Sequence, residues 1–316
     1  MRAIVAGGGG FIGSHLCDAL LERGDEVIAV DNFVTGRPIN IEHLRGHERF
    51  VLIEHDITDG MLEIDGPVDA VLDLASPASP VDFLRIPLEI LAVGSTGTRN
   101  LLDLAVAKGA RFFLASTSEV YGDPLVHPQP ESYLGNVSSI GPRSCYDESK
   151  RFSEALTAAY ERARGADVRI VRIFNTYGER MRPDDGRVVT NFVVQALRGE
   201  PLTVYGDGTQ TRSFVHVADE VRGLLAVLDG HITTPVNVGN PVETTMIGLA
   251  QIIIDLTGSK SPIAAEILPR DREGDPMQRC PDITLISKEL GWAPQIKLRD
   301  GLSRMIDWFR EHEGMS

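Results

Sequence analysis

The chain has 316 residues, 42% of them hydrophobic, and a net charge of −14. This length allows one large domain or two moderate ones around a sizeable core. The acidic balance argues against a general affinity for nucleic acid or anionic membranes, but it leaves room for a local basic pocket that takes a phosphorylated ligand.

The first predicted strand, Ala3–Ala6, is a short apolar run that ends in a glycine turn. Gly7, Gly10 and Gly13 let the chain turn sharply, approach a ligand closely and pack a helix against the strand. The helix predicted over Ser14–Glu22 would point free N–H groups at an anion such as a pyrophosphate. Taken alone, these glycines also fit a tight strand–helix turn that binds nothing.

A second predicted strand, Glu26–Val30, ends at Asp31. In a dinucleotide-binding fold, a carboxylate at this point accepts a hydrogen bond from a ribose 2′-hydroxyl and would repel the 2′-phosphate of NADP. The glycine turn and this carboxylate together predict dinucleotide binding, with NAD as the cofactor.

Strands and helices alternate through the first half of the chain. The predicted strands are Ala3–Ala6, Glu26–Val30, Phe50–Glu54, Val68–Leu74, Arg111–Ser116 and Val168–Phe174. The predicted helices between them are Ser14–Glu22, Leu88–Lys108 and Tyr146–Arg164. Nearly continuous apolar strands separated by helices predict an α/β fold with a Rossmann-type doubly wound parallel sheet, covered on both faces, that binds its ligands at the carboxyl ends of the strands.

Polar and turn-forming residues follow several of these strands, at the edge where ligands are expected. After the third strand, Asp56 is placed to accept a hydrogen bond from an adenine amino group, and the Ile57 amide is placed to donate one back. Loops rich in turn formers have the same composition without binding anything. Their shared position at one edge of the sheet favours a binding role.

Tyr146 and Lys150 are four residues apart, so they share one face of a helix. A tyrosine normally titrates near pH 10, and a nearby ammonium group stabilises the phenolate and lowers the pKa. We therefore expect Tyr146 to be a usable base near neutral pH. The alternative is an ordinary solvated helix face, which the glycine turn and the hydroxyls of Ser116, Thr117 and Ser118 disfavour.

The second half of the chain is less regular. Arg212 precedes an apolar run over 213–217, where a guanidinium is well shaped to bind a diphosphate; the alternative is an exposed surface arginine. The remaining segments are a loop over 274–283, strands at 202–205 and 235–238, and helices at 188–198, 219–228, 246–256 and 301–309.

The three cysteines, Cys17, Cys145 and Cys280, are odd in number and widely spaced. They form no metal-ligand pattern, so we expect no metal, and they are typical of a reducing compartment, here the cytoplasm. No stretch is long and apolar enough to cross a bilayer, and a strand pattern begins where a signal peptide would stand. Membrane and nucleic acid are therefore not expected partners.

Two predicted helices, Leu88–Lys108 and Tyr146–Arg164, carry apolar residues around more than a single stripe. A helix covered by a sheet on one side should be polar on the other. The pattern predicts a homodimer in which paired helices of two subunits form the interface. Alternatively, the extra apolar residues pack under neighbouring helices of the same chain.

The chain resembles the extended short-chain dehydrogenase/reductase family, in its nucleotide-sugar-modifying branch. The resemblance is carried by the glycine loop, Asp31, Thr117 and the Tyr146/Lys150 pair. Within that branch it is most similar to the UDP-glucuronate decarboxylase (UDP-xylose synthase) family. The more specific segments are 74–80 (LASPASP), 115–124 (ASTSEVYGDP), 141–150 (GPRSCYDESK), 172–178 (RIFNTYG), 185–192 (DGRVVTNF) and 199–212 (GEPLTVYGDGTQTR). Ser118 stands where sugar-nucleotide 4,6-dehydratases of this family carry an aspartate, which counts against dehydration.

The resemblance also implies which residues form the site. The implied catalytic residues are Thr117, Ser118, Glu119, Tyr146, Lys150 and Arg279. The implied NAD-binding residues are Gly7, Gly10, Phe11, Ile12, Gly13, Asp31, Asn32, Phe33, Thr35, Gly36, Asp56, Ile57, Leu74, Ala75, Tyr146 and Lys150. The implied substrate-binding residues are Pro77, Ser79, Glu119, Asn175, Arg187, Val188, Tyr205, Arg212 and Arg279.

The activity that the resemblance implies is NAD-dependent decarboxylation of UDP-glucuronate to UDP-xylose, through C4 oxidation, loss of carbon dioxide from a β-keto acid and re-reduction. A 4-epimerase of UDP-glucuronate or UDP-glucose is the alternative enzyme, and a non-catalytic NAD-sensing scaffold is the alternative outside catalysis. The expected domains are an NAD-binding unit of residues 1–175 with 213–240, and a smaller α/β nucleotide-sugar unit within 176–316.

Overall fold

The structure is a computed structural model that describes residues 1–267 and 278–315. Its strands are β1 (Arg2–Ala6), β2 (Glu26–Asp31), β3 (Phe50–Glu54), β4 (Ala70–Asp73), β5 (Arg111–Thr117), β6 (Val168–Ile173), β7 (Thr176–Tyr177), β8 (Leu202–Tyr205), β9 (Thr211–Ser213), β10 (Val215–His216), β11 (Val236–Val238), β12 (Glu243–Thr245), β13 (Ile263–Glu266) and β14 (Gln278–Arg279). Its α-helices are α1 (Phe11–Glu22), α2 (Pro80–Arg85), α3 (Pro87–Ala92), α4 (Thr98–Lys108), α5 (Ser144–Arg164), α6 (Val188–Arg198), α7 (Val217–Asp229), α8 (Met246–Thr257), α9 (Thr284–Leu290) and α10 (Leu298–His312).

The main sheet has seven strands in the order β11-β6-β5-β4-β1-β2-β3, and every neighbouring pair is parallel. The strand order reverses beside β1, so the loops after β1 and β4 diverge and leave a crevice at their carboxyl ends. The expected Rossmann-type parallel sheet is confirmed, and this crevice is where its ligands should bind.

The two faces of the sheet bury two different cores. Along β1, Ala3 and Val5 join a core that includes residues of α1 and α7, whereas Ile4 and Ala6 join a second core with residues of α4. Alternating residues of one strand therefore reach opposite faces, which is why nearly every residue of the strand is apolar.

Edge strand β3 departs from the expected coverage. Val51 is 52% exposed and Leu52 is 37% exposed. The described chain between β3 and β4 contains no helix, so nothing from that connection covers this end of the sheet. The expectation that helices cover both faces is wrong at this strand, because a sheet edge has neighbours on one side only.

The helix expected over Leu88–Lys108 is interrupted. Helices α3 and α4 are joined by a π-helical turn, Val93–Gly97. A Cβ atom on Gly94 would lie 2.6 Å from Cβ of Ser149, and Ser153 Oγ donates to Gly94 O at 2.7 Å. The turn thus lets α5 approach the backbone closely, where a regular helix with larger side chains would not fit.

A third core lies beyond the main sheet, formed by residues of α6, α8, α10 and β8. Two small sheets accompany it, β13-β8 and the three-stranded β12-β9-β14. The chain returns to the main sheet through β11, which pairs with β6, and through α7, which packs on α1. None of the described helices is both long and apolar enough to cross a membrane.

Two predictions for the second half need correction, and two short elements were missed. The apolar run expected over 213–217 is divided between β9, β10 and the start of α7. The expected loop over 274–283 includes β14, because Arg279 pairs with Arg212 of β9; residues 274–277 of that loop lie outside the described residues. Strand β12 and helix α9 were not predicted, since each is too short to show a period.

Candidate active site

A cavity of about 610 Å³ opens at the carboxyl ends of the main-sheet strands and reaches the third core, that of α6, α8, α10 and β8. Many of the residues singled out from the sequence line it: Gly7, Gly10, Phe11, Ile12, Gly13, Thr35, Leu74, Ser79, Thr117, Ser118, Glu119, Tyr146, Lys150, Asn175, Arg187, Val188, Tyr205, Arg212 and Arg279. Others lie outside this lining: Asp31, Asn32, Phe33, Gly36, Asp56, Ile57, Ala75 and Pro77.

The glycine turn after β1 forms a cradle that side chains would fill. Gly7 has φ +81°, in the left-handed region, and a Cβ atom on Gly13 would lie only 2.0 Å from Gly7 O. Gly10 caps α1 without a side chain, and the first turn of the helix carries no acidic residue. The first amide groups of α1 therefore face the cavity unopposed by a carboxylate, as the pyrophosphate of a dinucleotide requires.

Asp31, at the end of β2, holds the cradle in place. Its Oδ2 accepts a hydrogen bond from Gly9 N at 2.8 Å, and its Oδ1 accepts one from Phe33 N at 2.8 Å. Burial raises the pKa of Asp31, while the backbone amides of Phe33, Gly9 and Gly10 oppose that rise. A Cβ atom on Gly36 would lie 2.6 Å from Oδ1. The carboxylate has about four lone-pair sites, so these amides leave it able to accept from a ribose hydroxyl.

The neighbouring strand end forms its own hydrogen-bonded group. Asn32 Nδ2 donates to Asp56 Oδ2 at 2.8 Å, and Thr58 N donates to Asp56 Oδ1 at 2.8 Å. Burial opposes ionisation of Asp56, but these bonds outweigh it and lower its pKa. Asn100 Nδ2 donates to Ile57 O at 2.7 Å, which leaves the Ile57 amide as the group available to an adenine.

Tyr146, at the start of α5, lies against the Phe83 ring with ring centroids 4.9 Å apart. Burial raises the pKa of Tyr146 to about 12, although a hydrogen bond with Thr117 acts in the opposite direction. Among nearby cations, Arg187 lowers this pKa. The structure therefore brings Tyr146 and Thr117 together at the cavity, as expected of a base and its hydrogen-bond partner.

The expected effect of Lys150 on Tyr146 is not found. Lys150 Nζ donates to Ala115 O at 2.9 Å. Burial lowers the pKa of Lys150, and the carboxylates of Asp73 and Glu154 oppose that change. The ammonium charge thus lies among backbone and acidic groups. The expectation that Lys150 brings the tyrosine pKa towards neutrality is wrong for this structure, where burial of the phenol dominates.

Glu119 lies between two arginines in the cavity. Arg279 Nη1 donates to Glu119 Oε1 at 2.9 Å, and Arg143 Nη2 donates to Glu119 Oε2 at 2.6 Å. Burial alone would raise the pKa of Glu119, but Arg279 and Arg143 bring it well below its usual range. The carboxylate is therefore ionised at neutral pH. Arg279 Nη1 also donates to Ser118 Oγ at 3.0 Å.

Two residues of this group were missed by the sequence analysis, Arg143 and Asp147. Burial, and then the negative charge of Glu119, raise the pKa of Asp147 to about 7. Asp147 Oδ1 is buried without a hydrogen-bond partner among the described residues. Both lie in segment 141–150, within three residues of Tyr146, so proximity to the tyrosine expected to act as a base was the available signal.

Other residues expected to bind the nucleotide sugar also line the cavity. Arg187 caps α6, which begins at Val188, and Arg187 Nη2 donates to Asp185 Oδ2 at 2.7 Å. Ser79 caps α2 and its hydroxyl donates to Asp185 O, so this serine also has a structural role. Arg212 lies in β9 directly beside Arg279 in β14.

Comparison with known proteins shows the family of the chain. A family described as the NAD dependent epimerase/dehydratase family matches residues 3–239, most of the chain. The chain belongs to this family. The membership predicted from the sequence is confirmed.

Two curated relatives in this family are similar over nearly all of the chain. UDP-glucuronic acid decarboxylase 1 of Danio rerio is 51% identical over 308 residues, which cover 98% of this chain and 72% of that protein. UDP-glucuronic acid decarboxylase 5 of Arabidopsis thaliana is 51% identical over 316 residues, which cover 100% of this chain and 91% of that protein. The narrower resemblance seen in the sequence is confirmed.

Solved structures of the family share the fold. A dTDP-glucose 4,6-dehydratase of Streptomyces venezuelae with NAD bound has a TM-score of 0.90 at 33% identity, over 99% of this chain and 98% of that chain. A UDP-glucuronic acid 4-epimerase of Bacillus cereus in complex with UDP-glucuronic acid and NAD has a TM-score of 0.87 at 29% identity, over 98% of this chain and 99% of that chain.

Proposed function

We propose that the protein is an NAD-dependent decarboxylase that converts UDP-glucuronate to UDP-xylose. The observation that carries this proposal is the identity of about half of all residues, over the whole chain, with proteins named UDP-glucuronic acid decarboxylase. The geometry supports it, because Glu119 and two arginines lie beside the Tyr146 and Thr117 pair. This is an arrangement for a substrate that carries a carboxylate.

Bound NAD would supply hydride chemistry at C4 of the sugar. The cradle of Gly7, Gly10 and Gly13 with the start of α1 fits its pyrophosphate, and Asp31 is near enough to the cradle to serve its ribose. We expect Asp31 to make the protein prefer NAD to NADP, because a 2′-phosphate would meet a buried carboxylate.

Tyr146 would act on the C4 hydroxyl of the sugar. Its phenol lies in the cavity with Thr117, so it can take the hydroxyl proton while Thr117 bonds the same oxygen. The pKa of Tyr146, about 12, is too high for an efficient base near neutral pH. A cation placed nearby on binding would lower this pKa, since opposite charge favours the phenolate.

The arginines would hold the sugar carboxylate. Arg143 and Arg279 contribute two positive charges and Glu119 one negative charge. Asp147, whose pKa is raised to about 7, is only partly ionised at neutral pH, so the group keeps a net positive charge for the sugar carboxylate. Once C4 is a ketone, the C5 carboxylate belongs to a β-keto acid, whose bond to carbon dioxide breaks as electrons flow towards the ketone oxygen. That oxygen faces Tyr146 and Thr117, which stabilise the resulting enolate. C5 is then protonated, and Ser118 or a water held by Arg279 are the candidate donors.

The alternative enzyme is a 4-epimerase, which the likeness to the Bacillus cereus epimerase structure supports. The decisive experiment is incubation of the purified protein with UDP-glucuronate, followed by mass spectrometry of the nucleotide sugar. A product lighter by the mass of carbon dioxide supports the decarboxylase. A product of unchanged mass with inverted C4 stereochemistry supports the epimerase, and no turnover with NAD retained supports a non-catalytic scaffold.

A homodimer is also part of this proposal. Leu88 of α3 is 74% exposed and Phe152 of α5 is 50% exposed, and these two helices pack against each other. Leu84 of α2 and Leu91 of α3 are exposed as well. Such an apolar surface on adjacent helices is typical of an interface, and a second copy could pair the same helices about a two-fold axis.

The same proposal extends to domains and location. We assign residues 1–175 with 213–240 to the NAD-binding unit and the rest of 176–316 to the sugar-binding unit. The pairing of β11 with β6 supports this division. The free thiols of Cys17, Cys145 and Cys280 support a reducing compartment, the cytoplasm.

A further inference from the structure

Cys280 follows Arg279 directly in the chain, yet the chemistry above does not use it. Its side chain is buried, at 2% exposure. Two potential metal ligands from distant parts of the chain lie near it. The ligand-type atoms of His127, Glu243 and Cys280 all lie within 4.8 Å of one another. A thiol, an imidazole and a carboxylate from three distant segments therefore meet at one point.

The spacing is close to that of a metal site. Zinc binds sulfur at about 2.3 Å, and nitrogen or oxygen at about 2.0–2.2 Å, so ligand atoms around a tetrahedral ion lie about 3.3–3.8 Å apart. His127 Nε2 and Glu243 Oε2 are already 3.1 Å apart. Small side-chain rotations would bring all three atoms onto one ion.

Surrounding hydrogen bonds hold the Glu243 side chain and the Cys280 backbone in position. Thr211 Oγ1 donates to Glu243 Oε1 at 2.6 Å, which turns Oε2 towards His127. The backbone of Cys280 is fixed on both sides by Gln129, whose N donates to Cys280 O at 2.9 Å and whose Oε1 accepts from Cys280 N at 2.9 Å. Supporting hydrogen bonds of this kind orient the ligands of metal sites.

We propose that His127, Glu243 and Cys280 form a binding site for one divalent transition-metal ion of the zinc class, with solvent as a fourth ligand. The mixed donor set favours such an ion over magnesium or calcium, which prefer oxygen ligands. On binding, the Cys280 thiol, which now donates to Pro241 O at 3.3 Å, releases its proton to solvent and bonds the metal as a thiolate.

The position of this site gives it a consequence for the reaction. Glu243 begins β12, and Cys280 follows β14, the two outer strands of the sheet whose central strand is β9. Arg279 of β14 reaches Ser118 and Glu119 in the active site. A bound ion would therefore restrain the strand that carries Arg279, and we expect it to change the KM for UDP-glucuronate more than the affinity for NAD.

The test is titration of the metal-free, NAD-containing protein with Co²⁺ as a spectroscopic stand-in for Zn²⁺. We expect one ion per chain, with visible bands of tetrahedral cobalt and a sulfur-to-cobalt charge-transfer band in the near ultraviolet. Zn²⁺ should displace the cobalt. Cobalt bound without a sulfur band, or no binding above the level of a nonspecific surface, would overturn the proposal.

Matched variants locate the site. Cys280→Ser should remove the sulfur band, and Cys17→Ala should leave it, with NAD content confirming that both variants are folded. His127→Gln and Glu243→Gln should each weaken binding at least about 10-fold.

His43→Gln is the control for the histidine ligand. His43 Nε2 also contacts a carboxylate, Asp18 Oδ1 at 2.8 Å, but among the described residues the two belong to no three-residue cluster of metal-ligand type. Equal losses for His43→Gln and His127→Gln would reject the assigned ligands.

Discussion

Arg279 Nη1 lies 2.9 Å from Glu119 Oε1, and the same guanidinium is almost wholly buried, at 1% exposure. A buried arginine needs a charged partner, and Glu119 supplies it before any substrate arrives. The incoming sugar carboxylate must therefore share the arginine with Glu119. Decarboxylation removes the second negative charge and restores the pairing, which favours the forward reaction.

Removing either partner should slow the release of carbon dioxide. Glu119→Gln removes the charge beside the reacting group, and Arg279→Ala removes the group that fixes the carboxylate. A well-placed acid–base group is worth about 100- to 10,000-fold in rate, and we expect losses in this range for both. The measurement is release of labelled carbon dioxide from UDP-glucuronate labelled at C6. Release at the parent rate by both variants would contradict the assigned roles.

Arg143 should contribute to recognition of the carboxylate. Arg143→Ala is expected to raise the KM for UDP-glucuronate more than it weakens the binding of UDP, which has no sugar carboxylate. The control is Arg99→Ala, since the Arg99 side chain is 69% exposed and its 3.8 Å contact with Asp103 lies at the surface. Steady-state kinetics and UDP titration compare the variants. Parallel weakening of both ligands by Arg143→Ala would indicate a purely structural role.

The Glu119 ion pairs should make stability depend on acid pH. The pKa of Glu119 lies well below the ordinary 4.5 in the folded protein, so below pH 4.5 the unfolded chain binds a proton that the folded chain does not. The free energy of unfolding therefore falls as pH drops from 4.5 towards 2. Glu119→Gln should flatten this part of the curve in urea unfolding. Glu26→Gln, at a 61% exposed pair, should not.

Tyr146→Phe should nearly abolish turnover and leave nucleotide-sugar binding largely intact. The change removes one oxygen, the one that exchanges a proton with the C4 hydroxyl, while the ring keeps its contact with Phe83. Stopped-flow absorbance of the cofactor measures C4 oxidation directly, and calorimetry measures UDP-glucuronate affinity. Turnover comparable to the parent would remove Tyr146 from the mechanism.

A single charged substitution in the proposed interface should dissociate the dimer. Leu88→Glu and Phe152→Glu place a carboxylate on each of the two packed helices, and we expect either to shift the protein from dimer to monomer in light scattering. Ile140→Glu is the control, because Ile140 is exposed but lies in the loop before α5. A parent protein that is monomeric at every concentration would decide against the interface.

Much of the fold could be predicted because its signals are local. Most strands of the main sheet are apolar runs, and Gly7 and Gly13 of the turn meet steric demands that only glycine meets, since a Cβ atom would lie 2.7 and 2.0 Å from backbone atoms. The short elements could not be predicted. β14 has two residues, Gln278 and Arg279, and exists because β9 is available to pair with it. Such pairing depends on tertiary contacts that a period in the sequence cannot reveal.

The electrostatics of the site were harder to foresee for a related reason. The four-residue spacing of Tyr146 and Lys150 predicts a shared helix face, but it does not predict how deeply the phenol is buried. Asp73, from a different strand, is what attracts the Lys150 charge. Likewise, Arg143 became a candidate site residue only because it donates a hydrogen bond to Glu119, 24 residues away. Charges brought together by folding set these pKa values.

The pairing of Arg212 with Arg279 on adjacent strands fixes the distance between their two backbone positions. Neighbouring strands are about 4.8 Å apart, and directly paired residues of parallel strands point to the same side. We expect Arg212 to bind the diphosphate and Arg279 the carboxylate, so the paired strands would hold the groups for the two anionic ends of one ligand side by side. A nucleotide sugar that lacks the acid group should therefore keep the Arg212 contact and lose the contact with Arg279.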